Sequence, residues 1–494
     1  MKKNSFIFLF AILICCILYS CKGSEQKPEA PNVIFILTDQ WRASAMGYTG
    51  NEIVRTPHID EFARSGISFP NAVSVLPVCT PYRASLMTGR YPTSTGMFIN
   101  DLYLPSEELC MAEIFNEAGY HTAYLGKWHL DGHGRKDFVA PGRRQGWMFW
   151  KGSECDHNYP KEHYYDNADS TMRFWEGYST YAIAAEARNY MKEHAGDKEP
   201  FCLFVSIATP HFPHHTAPAE YMEMYTPEKL KLRPNVPEEM TEEALKELQG
   251  YYAHCTATDK AIGGIIEEAR SLGIYDRSVI VFTSDHGEMM GSHSIRPWMK
   301  HSAYAESASI PFLISYPGIG ENAGKTAEAA LTTPDILPSI LSLCDIDIPG
   351  TIEGYDLSGI FKAPGRDPDR AALYMNVAPF GAMHWIDEYR AVRTSAYTYV
   401  KIPEGASMLF DNKQDPFQMN NLVNDPAYAE VQAKLDDALM KELARIGETA
   451  VMPREHYLKK FGYYGRPEFR DDYHIRELAD VRTVVSPNRI FEIQ

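Results

Sequence analysis

The sequence predicts an α/β fold, a sandwich around a large and mostly parallel sheet, followed by a smaller C-terminal α+β subdomain. Three observations carry that expectation. Short apolar, β-branched runs recur, each followed at once by polar or ionisable residues; stretches with helical spacing alternate with them; and the composition shifts at residues 364–369. Strand–helix alternation is the pattern of a parallel sheet covered by helices on both faces.

The elements follow in order. Lys2 and Lys3 precede an apolar run at residues 6–19, short for a membrane span and of the length of a signal-peptide core. It ends Leu18-Tyr19-Ser20-Cys21, which is similar to a bacterial lipoprotein cleavage box. Residues 1–20 are therefore expected to be a signal peptide, Cys21 the lipidated first residue that ties the protein to a membrane, and 21–31 a polar tether. That arrangement implies an exported bacterial lipoprotein, periplasmic or at the outer membrane or cell surface. Residues 32–38 (NVIFILT) read as a strand buried on both faces, with Asp39 at its carboxyl end, the edge where open α/β sheets bind ligands. Further strands are expected at 122–125, 201–207 and 278–283, and helices at 57–65, 106–118, 181–193 and 241–272, the last containing Gly263-Gly264. Beyond the composition shift, short strands are expected at 372–375, 389–394, 397–402 and 408–411, with a helix at 427–446. The catalytic domain is placed at 32–368 and the C-terminal subdomain and tail at 369–494, the tail from residue 452 having no clear period.

Charge and cysteine usage narrow the function. A formal charge of −17 argues against a nucleic-acid surface, which needs clustered Lys and Arg, and requires that any anionic ligand find a local positive pocket. Of nine cysteines, Cys15 and Cys16 leave with the signal, Cys21 takes lipid and Cys79 belongs to a motif. The five that remain are odd in number and widely spaced, against a disulfide scaffold.

The motif is Cys79-Thr80-Pro81-Tyr82-Arg83, continuing to Gly89-Arg90 as CTPYRASLMTGR. It resembles the signature of the formylglycine-dependent sulfatases of the alkaline phosphatase superfamily, with Tyr82 where that family most often has a small hydroxyl residue. A lone cysteine would read as a small buried hydrophobe. The resemblance implies an alkaline-phosphatase-like sandwich and the oxidation of Cys79, by a formylglycine-generating maturation enzyme, to an aldehyde whose hydrate is the nucleophile. It also implies that the helix running from Pro81 offers its amides to an anion, and that Arg83 orients the hydrated group.

Four further segments match the family in its chain order. Asp39-Gln40 and Ser284-Asp285-His286-Gly287-Glu288 follow two strands; by resemblance Asp39, Gln40, Asp285 and His286, with the modified Cys79, hold a divalent metal, calcium first and magnesium or manganese as alternatives. Without that resemblance the two aspartates would read as helix caps. In Leu125-Gly126-Lys127-Trp128-His129, Lys127 is expected to bind the sulfate and His129 to hold one hydroxyl of the hydrate and help remove its proton. In an extended segment positions i and i+2 face the same side, so both could meet one ligand. His211, in Thr209-Pro210-His211-Phe212-Pro213, and Lys300, in Trp298-Met299-Lys300-His301, are expected to protonate the leaving alcohol. His214 and His215 are further candidates for that work, and His293 is a candidate substrate contact.

Between Asp131 and Asp169 the chain concentrates Arg135, Arg143, Arg144, His157 and His163 with Trp147 and Trp150. Cations beside aromatic faces suit a sulfated sugar, and Arg143, Arg144 and His157, with His384 and Trp385 from the second subdomain, are candidate substrate-binding residues. Three functions are carried forward. The leading one is a sulfatase acting on a sulfated carbohydrate such as a glycosaminoglycan, mucin or algal glycan. The second is a phosphodiesterase or phosphonate monoester hydrolase of the same superfamily, motivated by Gln40 and His286. The third is a glycan-binding lipoprotein in which Cys79 is never converted.

Overall fold

The structure, a computed structural model, describes residues 30–365, 369–378 and 387–461. The expected signal and lipidation segment with Cys21, the pair His384 and Trp385, and the tail from residue 462 lie outside the described residues.

Nine strands form the main sheet. They are β1 (Asn32–Asp39), β2 (Ile67–Ser68), β4 (His121–Lys127), β5 (Phe149–Ser153), β6 (His163–Asp166), β7 (Asp169–Phe174), β8 (Phe201–Pro210), β9 (Ser278–Ser284) and β10 (Phe312–Ser315), while β3 (Ala72–Val73) pairs separately with β11 (Leu331–Thr332). The order across the sheet is β2-β10-β9-β1-β8-β4-β5-β6-β7. The central run β9-β1-β8-β4-β5 is parallel, and each strand outside it pairs antiparallel with its neighbour.

Alternation along the buried strands divides the core in two. In β1, Val33, Phe35 and Leu37 join one apolar layer, and Ile34 and Ile36 the other. Helices α1 (Pro57–Ser65), α4 (Ser179–His194) and the 31-residue α5 (Thr241–Ser271) cover the second layer. Gly263 in α5 explains how α1 comes so close: a Cβ there would lie 2.3 Å from the His58 ring. The first layer is covered by α2 (Cys79–Thr88), α3 (Met111–Glu117) and α6 (Ile336–Leu343). The helix expected at 106–118 is the shorter α3, because Cys110 and Glu113 form a capping box that starts it at Met111.

The C-terminal unit is a four-stranded antiparallel sheet, β12 (Ala372–Asn376), β13 (Tyr389–Arg393), β14 (Tyr397–Ile402) and β15 (Gly405–Asp411), packed with helix α7 (Ala429–Arg445). The mixed α/β architecture and the small second sheet are those expected. The six described cysteines are unbridged. Among the described residues no helix is long and apolar enough to cross a membrane.

Candidate active site

The carboxyl ends of four adjacent strands meet at one point. Asp285 follows β9, Asp39 ends β1, His211 follows β8 and Lys127 ends β4, in the spatial order of the sheet. Side chains far apart in sequence therefore converge without long loops. Helix α2 begins at Cys79 itself, so Cys79 sits in the first turn, where backbone amides lack intrahelical partners.

Cys79 is buried at the centre of the group. Its Sγ lies 3.7 Å from Lys127 Nζ, 3.7 Å from Lys300 Nζ, 3.6 Å from Asp39 Oδ1 and 3.4 Å from His286 Nε2. Burial, and then the Asp39 charge, push the thiol up to about 12, so the encoded cysteine is a poor nucleophile near neutral pH. Arg83 reaches up from one turn further along α2. Its guanidinium donates to Asp39 Oδ2 at 3.1 Å, to Asp285 Oδ2 at 3.4 Å, to the Lys127 carbonyl and to Ser206 Oγ. It is the buried counterion of the two carboxylates.

Asp39, Cys79, Asp285 and His286 each offer a ligand atom, all within 4.8 Å of one another. Two buried carboxylates side by side split in their proton affinity. Burial and the neighbouring Asp39 lift Asp285 to about 7, whereas the charges of Lys127 and Arg83 overcome burial and hold Asp39 below its usual range. His286 Nδ1 donates to the Gly287 carbonyl at 2.9 Å, which leaves Nε2 as the lone-pair atom turned towards Cys79. Gln40 is placed differently. Its Oε1 accepts from Lys300 Nζ at 2.9 Å, and its Nε2 donates to Glu288 Oε2 and the Trp298 carbonyl.

Cys79, Lys127, His129, His157, His211 and Lys300 line one cavity of about 180 Å³, with Asn100, Arg135, Phe212, Trp298, Met299 and His301. Lys127 Nζ lies 2.6 Å from Asp39 Oδ2. His211 Nδ1 donates to the Phe212 carbonyl, so Nε2 accepts from Lys300 Nζ at 3.1 Å; burial, then Lys300, depress the imidazole well below its ordinary range. In this pair Lys300 is the donor and His211 the acceptor. His157 stacks on the His211 ring at 4.2 Å.

The i, i+2 argument for Lys127 and His129 fails in its reason: His129 has φ 59° and does not continue the strand. The two reach one cavity because the chain turns there. Gly126 is required just before the turn, since its φ is 93° and a Cβ would lie 2.0 Å from the Ser206 carbonyl oxygen.

Other expected contacts lie elsewhere. Arg143 pairs with Asp131, and Arg144 packs over the Trp150 ring while donating to the Val139 and Asn167 carbonyls. Trp147 and Trp150 are core residues around Tyr124, and His163 is held by Asp156. His293 stacks on Tyr304 and bonds Asn235, outside the cavity lining. His214 pairs with Glu247. What sequence reasoning missed is the wall made by Asn100, Phe212, Trp298 and His301, and Asp101 behind it, which bonds His129 and Arg135. No motif marks Asn100 and Asp101; Gln40, Asp101, His129, Trp298 and His301 all carry positive φ, a backbone signal invisible in composition.

Comparison with known proteins agrees with this geometry. The sulfatase profile matches residues 31–346, and that of the N-sulphoglucosamine sulphohydrolase C-terminal region matches 293–445. An ulvan-active sulfatase of Formosa agariphila is 52% identical over 92% of this chain and 90% of its own length. An endo-4-O-sulfatase of Bacteroides thetaiotaomicron is 29% identical over 82% of this chain and 91% of its own. The crystal structure of yidJ from Bacteroides fragilis, assigned to the sulfatases, superposes with a TM-score of 0.78 at 29% identity, covering 88% of this chain and 99% of that one. With a family profile over more than half its length and a relative this close, the chain belongs to the sulfatase family, sulfuric ester hydrolases of the alkaline phosphatase superfamily.

Proposed function

We propose that this sulfatase removes sulfate from a carbohydrate, using formylglycine made from Cys79 as nucleophile and a divalent cation, calcium before magnesium or manganese. The convergence of Lys127 and Lys300 on the Cys79 Sγ carries the reading: two ammonium groups and a buried guanidinium form a positive pocket in a protein of net charge −17. The carbohydrate class rests on the relatives, an ulvan-active sulfatase and an endo-4-O-sulfatase.

The family implies a metal, and the donor set fits one. Buried carboxylates of Asp39 and Asp285 and the lone pair of His286 Nε2 would hold a hard or borderline cation, with residue 79 completing the group. Bound there, the cation would polarise sulfuryl oxygens and acidify a hydroxyl. The Cys79 Sγ stands in for the oxygens that a hydrated formylglycine would present as nucleophile. Lys127 holds the anionic group against residue 79, and Arg83 fixes the two aspartates. Lys300 carries the proton for the departing alcohol, with His211 Nε2 setting its direction. The amino-terminal run supports export and anchoring through lipid on Cys21, and the Cys79-Thr80-Pro81-Tyr82-Arg83 motif supports maturation by a formylglycine-generating enzyme.

Peptide mass spectrometry around residue 79 tests the nucleophile: the aldehyde mass is expected, and unconverted cysteine throughout an active preparation would overturn the assignment. Rates on matched sulfate and phosphate esters decide between this reading and the phosphodiesterase alternative, with the sulfate ester expected to be the faster. Lys300 and His211 have their own test. Replacing either by Ala is expected to slow a sugar sulfate by about 10²–10³-fold but an activated aryl sulfate by about tenfold or less, because a phenolate departs without a proton. Lys127→Ala should slow both alike. Equal losses on both esters in the Lys300 and His211 variants would move the acid to another residue.

A further inference from the structure

Asp101 lies between α2 and α3 in a stretch that no motif marks, yet the backbone is organised around it. Asp101 has φ 58° and His129 φ 59°, both in the left-handed region that non-glycine residues occupy only when their surroundings hold them. Thr80, the neighbour of Cys79, joins the two. Its hydroxyl donates to the His129 carbonyl at 3.0 Å and accepts from the Asp101 N–H at 3.0 Å, while its own N–H donates to Asn100 Oδ1 at 3.2 Å.

The side chains then meet. Asp101 Oδ1 is 2.7 Å from His129 Nε2, and Arg135 grips both carboxylate oxygens, Nε to Oδ1 at 2.9 Å and Nη2 to Oδ2 at 3.0 Å. Asp101 is 3% exposed and His129 1%. A carboxylate gripped by a guanidinium stays ionised, and an ionised carboxylate can only accept. His129 Nε2 must therefore carry the proton. Nδ1, which has no hydrogen-bond partner among the described residues, keeps the lone pair.

We propose that Asp101 is a positioning residue of this active site: with Arg135 it locks His129 in the Nε2–H tautomer, leaving Nδ1 as the base that serves residue 79. The inference rests on the sulfatase reading for its chemistry but not for its geometry. A carboxylate behind a catalytic imidazole selects the tautomer, orients the ring and steadies the imidazolium formed when the base takes a proton. Arg135, which also lines the cavity, gives that carboxylate a fixed orientation.

The test has two parts. In protein labelled with 15N-histidine and left unconverted at Cys79, the His129 signals are identified by their loss in His129→Gln. The wild type is expected to show protonated Nε2 and bare Nδ1, and Asp101→Ala a mixture of tautomers. In matured enzyme Asp101→Ala should lower kcat about 100-fold while KM stays within about threefold, and Asp101→Asn, which keeps the shape and loses the charge, should fall between. Thermal unfolding checks each variant, and Asp101→Asn decides the matter if the alanine variant does not fold. A wild-type His129 protonated on Nδ1, or wild-type kcat in a folded Asp101 variant, would overturn the proposal. Absence of sulfate-ester hydrolysis by the wild type would instead overturn the functional reading, with the tautomer result still standing.

Discussion

Cys79→Ala is expected to abolish turnover, by about 10⁵-fold or more, in a protein that still folds and still binds its substrate. The chemistry passes through residue 79, whereas the binding groups do not depend on it. Lys127 is anchored on Asp39, Lys300 on Gln40 and His211, and Arg83 on both aspartates. Deleting one sulfur from a buried first turn costs about 1 kcal/mol of packing, small against the stability of a core of this size. Cys79→Ser keeps the volume and offers a hydroxyl, yet it too should be inactive unless the host's converting enzyme accepts serine. Turnover of an activated aryl sulfate, with calorimetric binding of a sulfated oligosaccharide to the same variants, separates the two effects. Ordinary turnover in Cys79→Ala would remove the nucleophile from this account altogether.

Which parts of this arrangement were legible follows from the physics of each part. β1, β8, β9 and β4 were readable because strands buried on both faces are continuous apolar runs, and because chemistry in a parallel sheet begins directly after them. Asp39, Lys127, His211 and Asp285 are each at or just beyond such an end. The segment from Trp147 to Phe174 was not readable as β5, β6 and β7, since β7 is exposed along its whole length and carries no alternation. The arginines and tryptophans between Asp131 and Asp169 looked like a sugar-binding surface; Trp147 and Trp150 instead pack around Tyr124, Arg144 lies over Trp150 and Arg143 pairs with Asp131, while Arg135 and His157 reach the cavity. Asp101 could not be found from sequence at all. Its position depends on a left-handed backbone and on Thr80, whose role in bridging two loops appears only once α2 and β4 are side by side.

Asp39→Asn and Asp285→Asn are each expected to lower activity by about 10³-fold and to reduce bound metal, because each removes a charge as well as a ligand from one buried cluster. Their effects on the metal-free fold should differ. Asp39 is the counterion of Lys127 and shares Arg83, and it is held below the usual carboxylate range despite burial; neutralising it strands buried cations and should cost about 3 kcal/mol or more. Asp285 is raised to about 7 by burial and by Asp39, so near neutral pH its charge already weighs against folding and an amide removes that penalty. The sign is explicit: a carboxyl whose folded value exceeds its unfolded one loses stability as pH rises between the two, from about 4 to about 7. Over that interval Asp285→Asn should unfold at a less pH-dependent temperature than the chelated wild type, while Asp39→Asn should be the less stable protein throughout. Adding the cation should place the wild type above Asp285→Asn and widen its lead over Asp39→Asn, since binding stabilises most the chain that retains both carboxylates. Elemental analysis and melting curves with and without chelator read all of this directly. Stoichiometric metal and near-normal rates in both variants would leave the two aspartates as caps on strand ends and nothing more.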